Sequence, residues 1–338
     1  MRIDAMTLGR PLAEVADEVR ALEARGYDGW FVGEAAHDPL LACAVAGGAA
    51  EGIEIGTAIT VAFPRSPMHV AYAAHDLQAL TAGRFVLGLG SQIKPHIEKR
   101  FGTPWSRPAD RMREYVQALR AIWRAWATGE PLRFRGEFTR HTLMTPFFTP
   151  EDHGFGPPSV YLAAVGPRMT EVAGEVADGV LCHGFTTPRY LREVTVPAVA
   201  TGAQRQGRDP AEVAISVPLF VVTGDDDAAV ERTAAAVRGQ LAFYGSTPAY
   251  RRVLDLHGWG ALHEELHAHS LRGEWDRMPA LIGDEVLETF AVVAPPTQLG
   301  ARIRERFAGL ADRVALPVEL PLAPDAWATV MADARAAG

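Results

Sequence analysis

Apolar and polar positions alternate between two rhythms along this chain. "RIDAMTL" reads as a strand, and behind Pro11 the residues Leu12, Val15, Val19 and Leu22 keep helical spacing until Gly26. "GWFVGE" is a second strand, after which Asp38-Pro39 opens a helix to Ala50. "IEIGTAITVAF" is the third strand, Ser66-Pro67 starts a helix to about Ala82, and "RFVLGLG" is the fourth strand. A longer loop leads into a helix whose stripe is Met112, Tyr115, Val116, Leu119, Ile122, Trp123 and Trp126; these aromatics read as packing. "SVYLAAV", "GVLCHG", "AISVPLFVVTG" and "DRVALPV" are strands five to eight, with a helix from Pro167 to Ala177 and a last one from about Pro324.

The strand runs lack period-two alternation, as strands covered on both faces do. Eight strand-helix units in this length predict a single α/β domain over residues 1–338, a closed (β/α)8 TIM barrel. Two stretches interrupt the alternation. Residues 130–158 are rich in Pro, Phe and Thr and read as an arm with a short hairpin. Residues 225–283 read as a mostly helical insertion, in which "GDDD" at Gly224 to Asp227 caps a helix.

Composition narrows the class. Hydrophobic content of 48% with 22% charged residues fits a globular enzyme, and a formal net charge of -8 argues against nucleic acid as the partner. Cys43 and Cys182 are the only cysteines, which suits a reducing, cytoplasmic setting. The first twenty residues show no signal-peptide pattern, and no apolar run is long enough for a membrane span.

In a barrel, residues at strand C-termini and in the loops behind them form the active-site rim. Glu34 and His37 stand there after strand two, Ser91 and Gln92 after strand four, and His183 after strand six. Both histidines are candidate proton donors, because imidazole titrates near neutrality. Gly166-Pro167-Arg168-Met169 opens a helix after strand five, where free N–H groups and the helix dipole attract phosphate.

Three stretches together resemble one family: "GYDGWFVGEAAHDP", "TAITVAFPRSPMHVAYAAHDLQALTAGRFVLGLGS" and "YLAAVGPRMTEVAGEVADGVLCHG". The chain is similar to the luciferase-like monooxygenase superfamily, and within it to the branch of oxidoreductases that use the deazaflavin coenzyme F420. "LMTP", "FYGSTPAYRRVLDLHGW" and "WDRM" resemble a mycobacterial-type subgroup. The resemblance implies a bacterial-luciferase-like barrel, coenzyme F420 or alternatively FMN as cofactor, a small-molecule substrate and a homodimer. It also implies a non-prolyl cis peptide at Ala58–Ile59 behind the cofactor ring. The cofactor would be lined by Ala58, Ile59, Gly88, Gly90, Ser91, Gln92, Ala164, Gly166, Pro167, Arg168 and Met169. The catalytic candidates are His37, Glu34 and His183. This sequence departs from the pattern at two places. Ala35 stands where sugar-phosphate dehydrogenases of the branch carry His, and Ser91 where they carry Glu, so those proton donors are missing. The substrate is expected over the ring, walled in part by Phe147 and Phe148.

One rival constellation stands apart. "HEELH" at His263 to His267 matches H-E-x-x-H, and His263, Glu264 and His267 with Glu285 or Glu288 would make a zinc-hydrolase site. Its placement in a polar inserted helix favours no metal.

Overall fold

The computed structural model describes residues 1–336. Its strands are β1 (Arg2–Leu8), β2 (Gly29–Gly33), β3 (Glu54–Thr57), β4 (Thr60–Val61), β5 (Phe85–Gly90), β6 (Phe134–Arg135), β7 (Arg140–His141), β8 (Ser159–Ala164), β9 (Gly179–Cys182), β10 (Ala214–Pro218), β11 (Phe220–Val222), β12 (Ala291–Val293) and β13 (Arg313–Leu316). Nine of them form one sheet in the order β3-β2-β1-β13-β10-β9-β8-β5-β4, and β3 also pairs with β5. Since β3 and β4 are two halves of one interrupted strand, eight strands close a parallel ring. The fold is a (β/α)8 barrel, as the alternation predicts.

Two strands run differently from the sequence pattern. The third breaks at Ala58–Ile59, which is a cis peptide bond. The seventh divides after Pro218. β10 pairs with β13, while β11 leaves the ring and pairs in parallel with β12. β6 and β7 form the hairpin expected in the arm.

The chain divides into two compact units. The first holds Met1–Ala5, Cys182–Pro197 and the chain from Ile215 on. Here the insertion supplies its own core, in which Leu241, Leu254, Leu266 and Met278 are closed off from solvent beside Phe185, Phe220 and Phe290. Burying each such side chain contributes on the order of 2 kcal/mol. The second unit holds Met6–Leu181 and Ala198–Ala214. In it Phe31, Val86, Tyr161 and Leu181 form a cluster against which Ala58 and Ile59 pack. No helix among the described residues is long and apolar enough to cross a membrane.

Candidate functional site

The second unit builds its site around the exit of β2. Glu34 follows that strand directly and grips the interrupted third strand twice. Its backbone N–H donates to the Ile59 carbonyl (3.1 Å), and its Oε2 accepts from the Val61 N–H (2.8 Å). The same oxygen accepts from Arg65 Nη1 at 2.8 Å. Arg65 also donates from Nη1 to the Val61 carbonyl (3.0 Å) and from Nη2 to Asp38 Oδ2 (2.8 Å). Asp38 Oδ1 caps the helix Pro39–Ala49 by accepting from Leu40 N (2.9 Å). Burial weighs against the charge on Arg65, but the Asp38 and Glu34 carboxylates outweigh it and raise its pKa.

This geometry gives Glu34 an orienting part, because its carboxylate is already held by a cation and a backbone N–H. His37 lies exposed on the loop between Glu34 and Asp38. Its Cβ is 3.3 Å from where a side chain on Gly9 would begin, so the loops after β1 and β2 meet there. Arg65 was not singled out from the sequence. The available signal was a lone cation between prolines in "FPRSP", directly behind strand three.

The end of β5 and the turn behind it are packed against the interrupted third strand. A Cβ on Gly88 would fall 1.7 Å from the Thr57 carbonyl oxygen, and one on Gly90 would fall 2.7 Å from Ile59 Cδ1. The lack of side chains at Gly88 and Gly90 is therefore accounted for by protein packed against them. Thr57 completes the joint, its Oγ1 donating to the Gly88 carbonyl (2.7 Å) and accepting from the Gly88 N–H (3.0 Å). Ser91 donates to the Gln92 carbonyl (3.1 Å). Gln92 sits at φ 57 and its Oε1 accepts from Ile93 N (3.0 Å), so these side chains shape their own turn.

Ala164 is buried at the end of β8. Behind it the helix Pro167–Val176 begins at Gly166 with no side-chain cap, which leaves its first N–H groups available to an anion. Arg168 departs from the expected role. Its guanidinium turns to Glu171 (3.1 Å), Asp110 (3.4 Å) and Glu175 (3.8 Å), carboxylates that already neutralise it.

In the first unit, His183 follows β9 in a neutral, aromatic setting. Its ring stacks on Tyr250 (4.5 Å between centroids, 26°) and meets Tyr244 edge-on (4.5 Å, 81°). The Phe185 N–H donates to Nδ1 (3.0 Å), which puts the proton of the neutral ring on Nε2. Burial pushes the His183 pKa down to about 4. At neutral pH this ring is a hydrogen-bond donor and carries no spare proton, so the cationic-acid role is removed from it.

A profile of the luciferase-like monooxygenases matches residues 1–313. The chain belongs to the luciferase-like monooxygenase family. Its relatives include an uncharacterized protein of Mycobacterium tuberculosis (strain ATCC 25618 / H37Rv), 51% identical over 324 residues, which are 96% of this chain and 95% of the relative. An F420-dependent hydroxymycolic acid dehydrogenase of the same organism is 32% identical over 195 residues, 56% of this chain and 51% of that one. The structure of the coenzyme F420 dependent tetrahydromethanopterin reductase from Methanopyrus kandleri matches with a TM-score of 0.77 at 18% identity. That match covers 97% of this chain and 96% of the other, and it is a likeness of fold. This luciferase-like chain is accordingly an enzyme of the oxidoreductase class.

In the luciferase-like frame the rival constellation and the aromatic arm take other parts. His263 and His267 lie on the helix Gly260–Leu271, but each donates from Nδ1 to a carbonyl at the end of the preceding long helix, Gly245 (2.7 Å) and Ser246 (2.9 Å). Glu264 pairs with Arg251 at 3.2 Å. Among the described residues no group of three His, Cys, Asp or Glu could hold a metal ion, so Glu285 and Glu288 complete nothing and the zinc-hydrolase reading has no support. The aromatic arm fails as a substrate wall. The Phe148 carbonyl accepts from Tyr72 Oη (2.6 Å), the Glu151 carbonyl meets His75 Nε2 (3.1 Å), and Phe155 lies against Gly83. The arm thus runs along the helix Pro67–Leu80 toward its C-terminal end, with Phe147 and Phe148 exposed.

Proposed function

We propose that this protein moves a hydride between coenzyme F420 and an unidentified small organic substrate. The observation that carries the reading is the 32% identity to an F420-dependent dehydrogenase. One place in the second unit supports the fit of such a group. The uncapped start of the helix Pro167–Val176 offers the N–H groups of Arg168 and Met169 to a phosphate, and the Gly166 position adds no side chain in the way. When bound, the deazaflavin supplies hydride chemistry that no side chain can provide.

The chain's own residues supply orientation and a proton. Glu34 and Arg65 fix the Ala58–Ile59 segment that would back the ring. His37, on the pinned loop beside them, is the residue we assign to proton delivery at a substrate heteroatom, because His183 is neutral at working pH. Holding the reactants in one geometry is the larger share of such catalysis.

The test is a fluorescence titration of purified protein with coenzyme F420 and, separately, with FMN. Saturable binding of F420 with none of FMN at the same concentrations is expected. Saturation by FMN alone would replace this reading by a flavin monooxygenase on the same fold.

A further inference from the structure

We infer that Arg65 is a positioning residue that locks the His37 loop and the interrupted third strand into one rigid piece. The inference rests on the F420 reading for its purpose, though its mechanical content stands without it.

The geometry carries it in three steps. First, the loop of Glu34, Ala35, Ala36, His37 and Asp38 is short, and both its ends are held by one guanidinium. Nη1 takes Glu34 and Nη2 takes Asp38, each at 2.8 Å. Second, Nη1 also reaches the Val61 carbonyl (3.0 Å), while Glu34 takes the Val61 N–H with Oε2 and gives its own N–H to Ile59. Glu34 and Arg65 therefore hold both backbone groups of Val61, which closes a ring of contacts between the β2 exit and β4. Third, Asp38 passes the constraint to the helix Pro39–Ala49 through its cap on Leu40.

Three acceptors at fixed directions are a task for a planar fork, and an ammonium cannot span them. A bare counter-charge for Glu34 would leave Asp38 free to swing with the loop. The arrangement also explains how an exposed imidazole could still hold a defined place. Its backbone is fixed on both sides and its own side chain remains free to meet a substrate.

The experiment compares wild type with Arg65→Lys and Arg65→Met by hydrogen-exchange mass spectrometry without cofactor, alongside F420 titration. In both variants the peptides carrying the Glu34, Leu40 and Val61 amides, which the network holds, should exchange at least tenfold faster, while the peptide covering Phe85 to Gly90 keeps its rate. F420 affinity should fall about tenfold in Arg65→Lys as well as in Arg65→Met. Restoration of loop protection by Arg65→Lys would overturn the inference, because charge alone would then suffice. Equal acceleration in the Phe85 to Gly90 peptide would overturn it too, since the residue would then act on global stability. If the wild type binds no F420, the proposed function fails, and the loop-exchange result still decides the role of Arg65.

Discussion

The exit of β2 and the exit of β9 both present a histidine behind a barrel strand, yet opposite physics holds each in place. His37 rides on a loop pinned by charges, with Arg65 between Glu34 and Asp38. His183 is held by Tyr250, Tyr244 and a single backbone N–H, with burial denying it a charge. The same side chain is thus exposed on a charge-pinned loop in one place and a neutral, buried donor in the other. Environment decides the role, and strand position alone does not.

The largest effect should come from removing the cation. The Glu34 side chain is 7% exposed and that of Arg65 20%, so Arg65→Met strands a nearly buried carboxylate. Breaking a buried pair from one side costs roughly 3–5 kcal/mol, and the partial exposure here points to about 3 kcal/mol. Denaturant unfolding at neutral pH measures it. Arg65→Met combined with Glu34→Gln should recover part of the loss, because the stranded charge is then gone. A loss under about 1 kcal/mol in the single variant would mean that the charge network does not hold the loop.

The second effect belongs to His183 and depends on pH. An unfolded imidazole takes its proton near 6.5, whereas the folded one takes it only near 4. Between those values the unfolded chain binds more protons, so acid favours unfolding. The stability that the neutral ring contributes is whole above pH 6.5 and is lost as pH falls toward 4, on the order of 3 kcal/mol in all. Unfolding curves of wild type and His183→Phe at pH 7 and pH 4.5 isolate it. The variant should lose less stability on acidification, and equal losses would show that the ring is not buried as a neutral group. Tyr250→Leu is a milder probe of the same pocket. Losing the stacked ring should cost about 1 kcal/mol and raise the His183 pKa as water enters, which an NMR titration would follow.

The difference between the two regions also explains what the sequence could disclose. The barrel was legible because apolar runs of strand length recur between helical stripes, a signal local to each segment. The β2 exit was legible as a place, since an acid and a histidine closing an apolar run are conspicuous. Its key cation was not, because Arg65 lies 31 residues from Glu34 and the bridge forms only when β3 and β4 lie beside β2. The packing at the glycines was hidden for a related reason. The space beside Gly88 and Gly90 is taken by Thr57 and Ile59 from a strand about thirty residues away. The His183 environment was equally hidden, for Tyr244 and Tyr250 arrive from an insertion that shows no periodic tie to β9. The break of the seventh strand after Pro218 goes with the pairing of β11 to β12, a partner distant in the chain that no local pattern encodes.

The smallest effect on stability, and the most informative for function, is expected from His37→Ala. An exposed side chain on a loop fixed by its neighbours should cost less than about 0.5 kcal/mol. Removing a positioned general acid lowers turnover by roughly 10²–10⁴-fold. These two numbers separate His37 from Arg65, whose loss should disturb both folding and the loop. They separate it from His183 as well, whose neutral ring cannot replace a delivered proton at pH 7. Once an F420-coupled substrate is in hand, His37→Ala should bind cofactor as wild type does while kcat falls by that factor. A change of only a few-fold would assign the proton to water and reduce the loop to scaffolding. The charge-pinned exit would then differ from the aromatic one in how it is held and no longer in what it does.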